Sequence, residues 1–140
     1  MLISRYRVPQ PRSALAAAIR AHASAAMDVS DGLAGDLTKL CAASGVSATI
    51  DTPLVPLSAA AAGLSARGVV GIEPLIAGGD DYEILCTVPE AKMADLAADA
   101  GRAGVPLTAI GRITFGTDAP RFLDARGNQM PLQRLSYSHF

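Results

Sequence analysis

Two short stretches of this sequence hold residues whose types and spacing could do chemistry. The first is Met27-Asp28-Val29-Ser30-Asp31-Gly32-Leu33, with two carboxylates and a hydroxyl within four residues. On an extended backbone Asp28 and Ser30 point the same way. Asp31 and Gly32 then open an apolar-periodic helix, whose free N–H groups attract anions. That combination suits phosphate chemistry: carboxylates hold Mg²⁺, the metal holds phosphate oxygens, and Ser30 and the helix end donate hydrogen bonds. The plainer alternative is that Ser30 or Asp31 simply caps the helix. The second stretch is Ala77-Gly78-Gly79-Asp80-Asp81-Tyr82-Glu83, with three acids in four residues. Such acids repel one another unless a cation or a set of donors is present. Gly78 and Gly79 let a ligand or another backbone approach closely. Strand alternation would put Asp81 and Glu83 on one side and Asp80 and Tyr82 on the other, so Asp80 and Asp81 should do different jobs. Here the alternative is a solvated turn.

Other chemistries are absent. The chain has no GxxxxGK[ST], GxGxxG or GxSxG pattern. His22 and His139 lie near opposite ends, and no nucleophile–base pair is visible. Cys41 and Cys86 belong to no CxxC pair and have no ligand-spaced His, so they read as reduced, buried thiols in a reducing compartment. Twelve basic against 13 acidic residues give a net charge of −1. With a pI of about 6.0, that removes the electrostatic case for nucleic-acid binding. Aromatics at 4%, with no Trp, argue against base-stacking platforms. The N-terminus has no apolar core of a signal peptide. The most apolar stretch, 54–79, is interrupted by Pro56, Ser58, Ser65, Arg67, Glu73 and Pro74 and is no membrane span. A soluble cytoplasmic protein that binds neither nucleic acid nor membrane is expected.

The elements that must position these residues follow from periodicity. With 140 residues, 50% hydrophobic and 18% charged, the chain can bury one core. Residues 1–12 read as a linker or arm and 13–140 as the domain. Pro11 suits the first turn of a helix reaching about residue 23, with Leu15, Ala18, Ile19 and His22 as its apolar stripe. Residues 25–30 read as extended. A helix over 31–43 carries Leu33, Leu37, Leu40 and Cys41 on one face and stops at Gly45. Residues 46–50 alternate as a half-buried strand. Ser58 caps an Ala-rich helix to about residue 66, and 72–77 add one more turn. Residues 82–88 form a strong strand. Pro89 opens a helix that turns Met93, Leu96 and Ala97 inward, and 107–113 form another strand. Residues 121–123 and 130–132 pair as a hairpin around Arg126-Gly127-Asn128. There is no internal repeat, and the mixture indicates an α+β or α/β layered domain.

Together these words resemble the C-terminal half of the thiamine-monophosphate kinase family. The likeness is carried by Arg5-Tyr6-Arg7-Val8-Pro9-Gln10-Pro11, by Ala26-Met27-Asp28-Val29-Ser30-Asp31-Gly32-Leu33 and by Ala43-Ser44-Gly45-Val46. It continues in Gly78-Gly79-Asp80-Asp81-Tyr82-Glu83, Thr87-Val88-Pro89 and the ending Tyr137-Ser138-His139-Phe140. The resemblance implies an α+β fold: a three-layer α/β/α domain with a mixed sheet, like the C-terminal domain of the aminoimidazole ribonucleotide synthase superfamily. It implies direct, Mg²⁺-assisted transfer of the ATP γ-phosphoryl group to thiamine monophosphate. By position, Asp28 and Asp31 would be Mg²⁺ ligands and Ser30 an ATP contact. Asp80 and Tyr137 would meet the thiamine substrate. Asp80 stands where the family has Glu, and Ser138 where it has Asp. The family's N-terminal domain, with most metal-binding aspartates, has no counterpart here. The chain is therefore expected to be inactive alone, to need that domain or a companion chain, and to belong to a homodimer in the full enzyme. With no Lys or Arg in either acidic stretch, a phosphate clamp would have to come from Arg5, Arg7 or the other half. A non-catalytic module for a thiamine phosphate or another phosphorylated ligand is the alternative. The Gly-Gly-Asp-Asp-Tyr-Glu word argues against a third option, a synthase relative.

Overall fold

The structure, a computed structural model, describes residues 8, 10–79 and 81–135. A 3₁₀ turn (Ser13–Leu15) leads into α1 (Ala16–His22), followed by strand β1 (Ala25–Val29) and helix α2 (Leu33–Ser44). Strand β2 (Ser47–Asp51), the Ala-rich α3 (Ala59–Ala66) and the short α4 (Ile72–Ile76) come next. Then follow β3 (Glu83–Thr87), α5 (Met93–Arg102), β4 (Gly111–Thr114) and β5 (Arg121–Leu123).

The strands form two sheets. β1 and β3 make an antiparallel ribbon running from Ala25 opposite Thr87 to Val29 opposite Glu83. β2 is the centre of a mixed sheet, antiparallel to β4 and parallel to β5. Helix α2 packs against both β1 and β2, so it joins the sheets. Its stripe of Leu33, Leu37 and Cys41 meets Val29, Leu85, Ala48, Ile50, Ile76 and Phe122 in one core. The ribbon's other face is covered too: Ile84 and Cys86 share a small cavity with Leu15, Ile19 and Leu96, and α1 packs on α5. Helices thus lie on both faces of the ribbon, in α/β/α order.

Local chemistry accounts for the element ends. Gly45 stops α2 in the left-handed conformation, at φ 65°, where a side chain would be strained. The Ser58 hydroxyl accepts the Ala61 N–H and caps α3, a helix that buries none of its residues.

Several sequence expectations need correction. The strand expected over 107–113 is only Gly111–Thr114, because Leu107 turns with Val105 and Pro106 to line the cavity instead of entering the ladder. In α5 Leu96 and Ala100 are buried while Ala97 is exposed, as a four-residue step along a helix face requires. Residues 130–132 form no strand. One bridge joins Leu123 to Gln129, and the Asp124 carboxylate accepts the Arg126 and Asn128 N–H groups to build the turn. Ser47, expected on the open side of β2, is buried. Cys41 is buried and Cys86 half-buried, both free thiols pushed upward in pKa by burial. Among the described residues no helix is long and apolar enough to cross a membrane.

Candidate functional site

The ribbon register brings the two acidic stretches to one end of the molecule. Val29 pairs with Glu83, so the chain leaving β1 and the chain arriving at β3 emerge side by side. They touch at Gly32, whose φ is 113°. A Cβ there would lie 2.7 Å from the Gly78 carbonyl oxygen and 2.8 Å from the Ala77 carbonyl carbon. Position 32 therefore needs glycine twice over, for its backbone conformation and for lack of space. Gly32, not Asp31, is the last residue before the helix, which begins at Leu33, and no side chain caps it. Ser30 and Asp31 are thus not capping residues.

What holds them is Asp36, in the first turn of α2 and 1% exposed. Its Oδ2 accepts the backbone N–H groups of Ser30 (2.9 Å) and Asp31 (3.0 Å). Its Oδ1 accepts from Lys39 Nζ at 3.0 Å, and the same ammonium donates to Asp31 Oδ2. Burial alone would raise the Asp36 pKa. The hydrogen bonds from Lys39, Asp31 and Ser30 outweigh burial and hold it below the usual carboxylate range. Lys39 is shifted upward by its bonds to Asp31 and Asp36. With those donors absorbed, the side chains of Asp28 and Ser30 remain exposed, and that of Asp31 is 39% exposed.

The second stretch is shaped differently. Tyr82 is the one non-glycine residue with positive φ among those described, at 54°. A bulky residue is held there only against steric cost, a feature that clusters at ligand sites. The residue is exposed. Because β3 starts at Glu83, the strand alternation expected to orient Asp81 does not reach it. Glu83 takes a two-pronged bond from Arg12, with Nε at 2.9 Å and Nη2 at 2.5 Å. That bond raises the Arg12 pKa. Glu73 of α4, just ahead of Gly78, accepts the backbone N–H groups of Gln133 and Arg134 and ties down the C-terminal segment. Asp80, Tyr137, Arg5 and Arg7 lie outside the described residues.

Among the described residues no three His, Cys, Asp or Glu side chains are grouped to hold a metal. The donor set fits Mg²⁺ nonetheless. That ion is commonly held by one or two carboxylates while waters and phosphate oxygens fill its other positions, and the carboxylates of Asp28 and Asp31 are open to solvent.

Residues 5–120 match the family described as AIR synthase related protein, C-terminal domain. The chain belongs to that family. Among relatives of this AIR synthase-related domain is the thiamine-monophosphate kinase of Caulobacter vibrioides. It is 36% identical over 141 residues, covering 99% of this chain and 40% of the relative. The crystal structure of thiamine-monophosphate kinase from Stenotrophomonas maltophilia K279a superposes with a TM-score of 0.71. It is 37% identical, over 81% of this chain and 35% of that one. The structure of AaThiL complexed with AMPPCP and TMP superposes with a TM-score of 0.76. It is 29% identical, over 99% of this chain and 41% of that one. The chain thus spans about two fifths of the length of its curated relatives.

In this AIR synthase-related domain the residues that sequence reasoning missed are Asp36 and Lys39. A signal for Asp36 existed: it lies three positions after Leu33 and one before Leu37, on the side of the helix that must be buried. A buried acid there requires donors, and the nearest free N–H groups are those of the preceding turn.

Proposed function

We propose that this chain is the C-terminal part of an ATP-dependent thiamine-monophosphate kinase, which converts thiamine monophosphate and ATP to thiamine diphosphate and ADP. The observation that carries this reading is the backbone contact of Gly32 with Ala77 and Gly78, which joins the two acidic stretches at one place. Its support from relatives is their name and the AMPPCP and TMP of the AaThiL complex. Asp28 and Asp31 would hold Mg²⁺, which when bound offsets the charge of transferring phosphate oxygens. Ser30, exposed beside them, donates a hydrogen bond to ATP. Asp80, next to Gly79 in the sequence, would contact the thiamine substrate, as the family resemblance implies. Tyr137 would cover the thiamine rings, as the family resemblance implies. The chain orients phosphates; the other catalytic groups come from an N-terminal domain, in the same enzyme or a companion chain. The unburied, apolar α3 is a surface of the kind such a half covers. A cytoplasmic homodimer is the assembly we assign to the full enzyme.

The test is thiamine diphosphate formation from thiamine monophosphate and Mg-ATP. The isolated chain should give none, and addition of an N-terminal half from a relative should restore turnover. Asp28→Asn in the restored enzyme should lower the rate at least about a hundredfold and weaken the Mg²⁺ dependence, since positioned charge typically supplies that much. Turnover by the chain alone, or an Asp28→Asn enzyme with unchanged rate and Mg²⁺ response, would overturn the assignment.

A further inference from the structure

We propose that Lys39 is a resident counter-cation of the first acidic stretch. Its ammonium occupies Asp31 while no divalent ion is present, then withdraws to Asp36 alone when one binds, and so sets divalent-ion affinity. This rests on the reading of Asp28 and Asp31 as ligands.

The geometry makes the two ends of the Lys39 bridge unequal. Asp36 is 1% exposed and cannot exchange its ammonium partner for water. Asp31 is 39% exposed, so its carboxylate can be solvated or take a metal ion. Lys39 is itself 54% exposed. A lysine ammonium is a compact charge on a flexible four-carbon stem, able to leave one carboxylate without leaving the other. Asp36 pairs with Lys39 across one helical turn, three positions apart, whereas Asp31 is eight positions away and outside the helix. The helix therefore fixes the Lys39–Asp36 pair, and the Asp31 contact is the replaceable one. The backbone bonds from Ser30 and Asp31 to Asp36 Oδ2 are separate from the Lys39 bond to Oδ1, so the turn keeps its shape when the ammonium moves.

The test measures Mn²⁺ binding to the 140-residue chain by water-proton relaxation at low ionic strength, with amide NMR spectra of Ser30 and Asp31 as a check of the turn. Lys39→Gln removes the charge but keeps a donor for Asp36; Lys39→Met removes both. Either should bind Mn²⁺ about fivefold tighter or more, the effect of one unit charge at ion-pair distance even in water. Lys39→Arg should bind no tighter than the parent. In the Lys39→Gln spectrum the Ser30 and Asp31 amides should stay where the parent has them. If the parent binds Mn²⁺, Asp31→Asn loses it, and Lys39→Gln binds no tighter, the counter-cation role is overturned while the ligand reading stands. If the parent binds no Mn²⁺, or Asp28→Asn and Asp31→Asn bind it equally well, the ligand reading falls and this proposal with it.

Discussion

The two acidic stretches are held in opposite ways. The first is pinned by hydrogen bonds: a buried carboxylate, Asp36, gathers the N–H groups of Ser30 and Asp31, and Lys39 balances it. The second is held by sterics and strain: the Ala77–Gly78 backbone lies against Gly32, and Tyr82 sits in the left-handed region. In the first, one acid does the structural work so that the others stay available. In the second, a conformation that side chains avoid turns the loop before β3 begins. Acidic residues close together in sequence therefore serve different ends, and burial decides which.

The sharpest break of this contrast is Gly32→Ala. It puts a Cβ into the shared contact at a φ reserved for glycine, and should cost roughly 3 kcal/mol or more, as a shift in denaturation midpoint. Loss of less than about 1 kcal/mol would mean that the loops separate easily. Next is Asp36→Ala, which strands two N–H groups and should cost about 2–3 kcal/mol. It also carries a pH signature. The folded Asp36 pKa is depressed, so its stabilisation is complete above the unfolded value of about 3.9 and fades as pH falls through the folded one. Parent and variant should converge in urea titrations only in that acid range. Smaller, and of opposite sign, is Tyr82→Asn. Asn tolerates the left-handed region, and the variant should be more stable by about 0.5–1 kcal/mol. A loss instead would mean that the tyrosine ring makes contacts that outweigh its strain. Smallest is Arg12→Ala. The partly exposed pair with Glu83 should be worth about 0.5 kcal/mol and should vanish in high salt.

The parts legible in the sequence were those set by local chemistry. Gly45, Ser58 and the stripe of Leu33, Leu37 and Cys41 announce themselves within a few residues, because caps and helix faces are short-range. The acids of the two stretches were visible as words, and the resemblance implied their roles. What the chain order hid was long-range. That Leu107 would line a cavity instead of joining a strand depends on α5 and β3 packing beside it. The positive φ of Tyr82 depends on where the Gly78 turn is forced to lie. Asp36 looked like one more polar helix residue until the turn that it anchors came into view, and Lys39, eight residues beyond Asp31, lay outside any motif.

The mixed sheet carries a consequence for how the polypeptide is made. Its central strand β2 finds its parallel neighbour only with β5, Thr49 and Arg121 lying 72 residues apart in the chain. During synthesis Ala48 and Ile50 emerge long before Phe122, the largest fully buried side chain of the core. Contacts so distant are slow to form, and an unpaired strand edge is sticky meanwhile. The nascent protein must shelter β2 until β5 is translated, so early termination before residue 121 should yield aggregates, not a smaller folded domain.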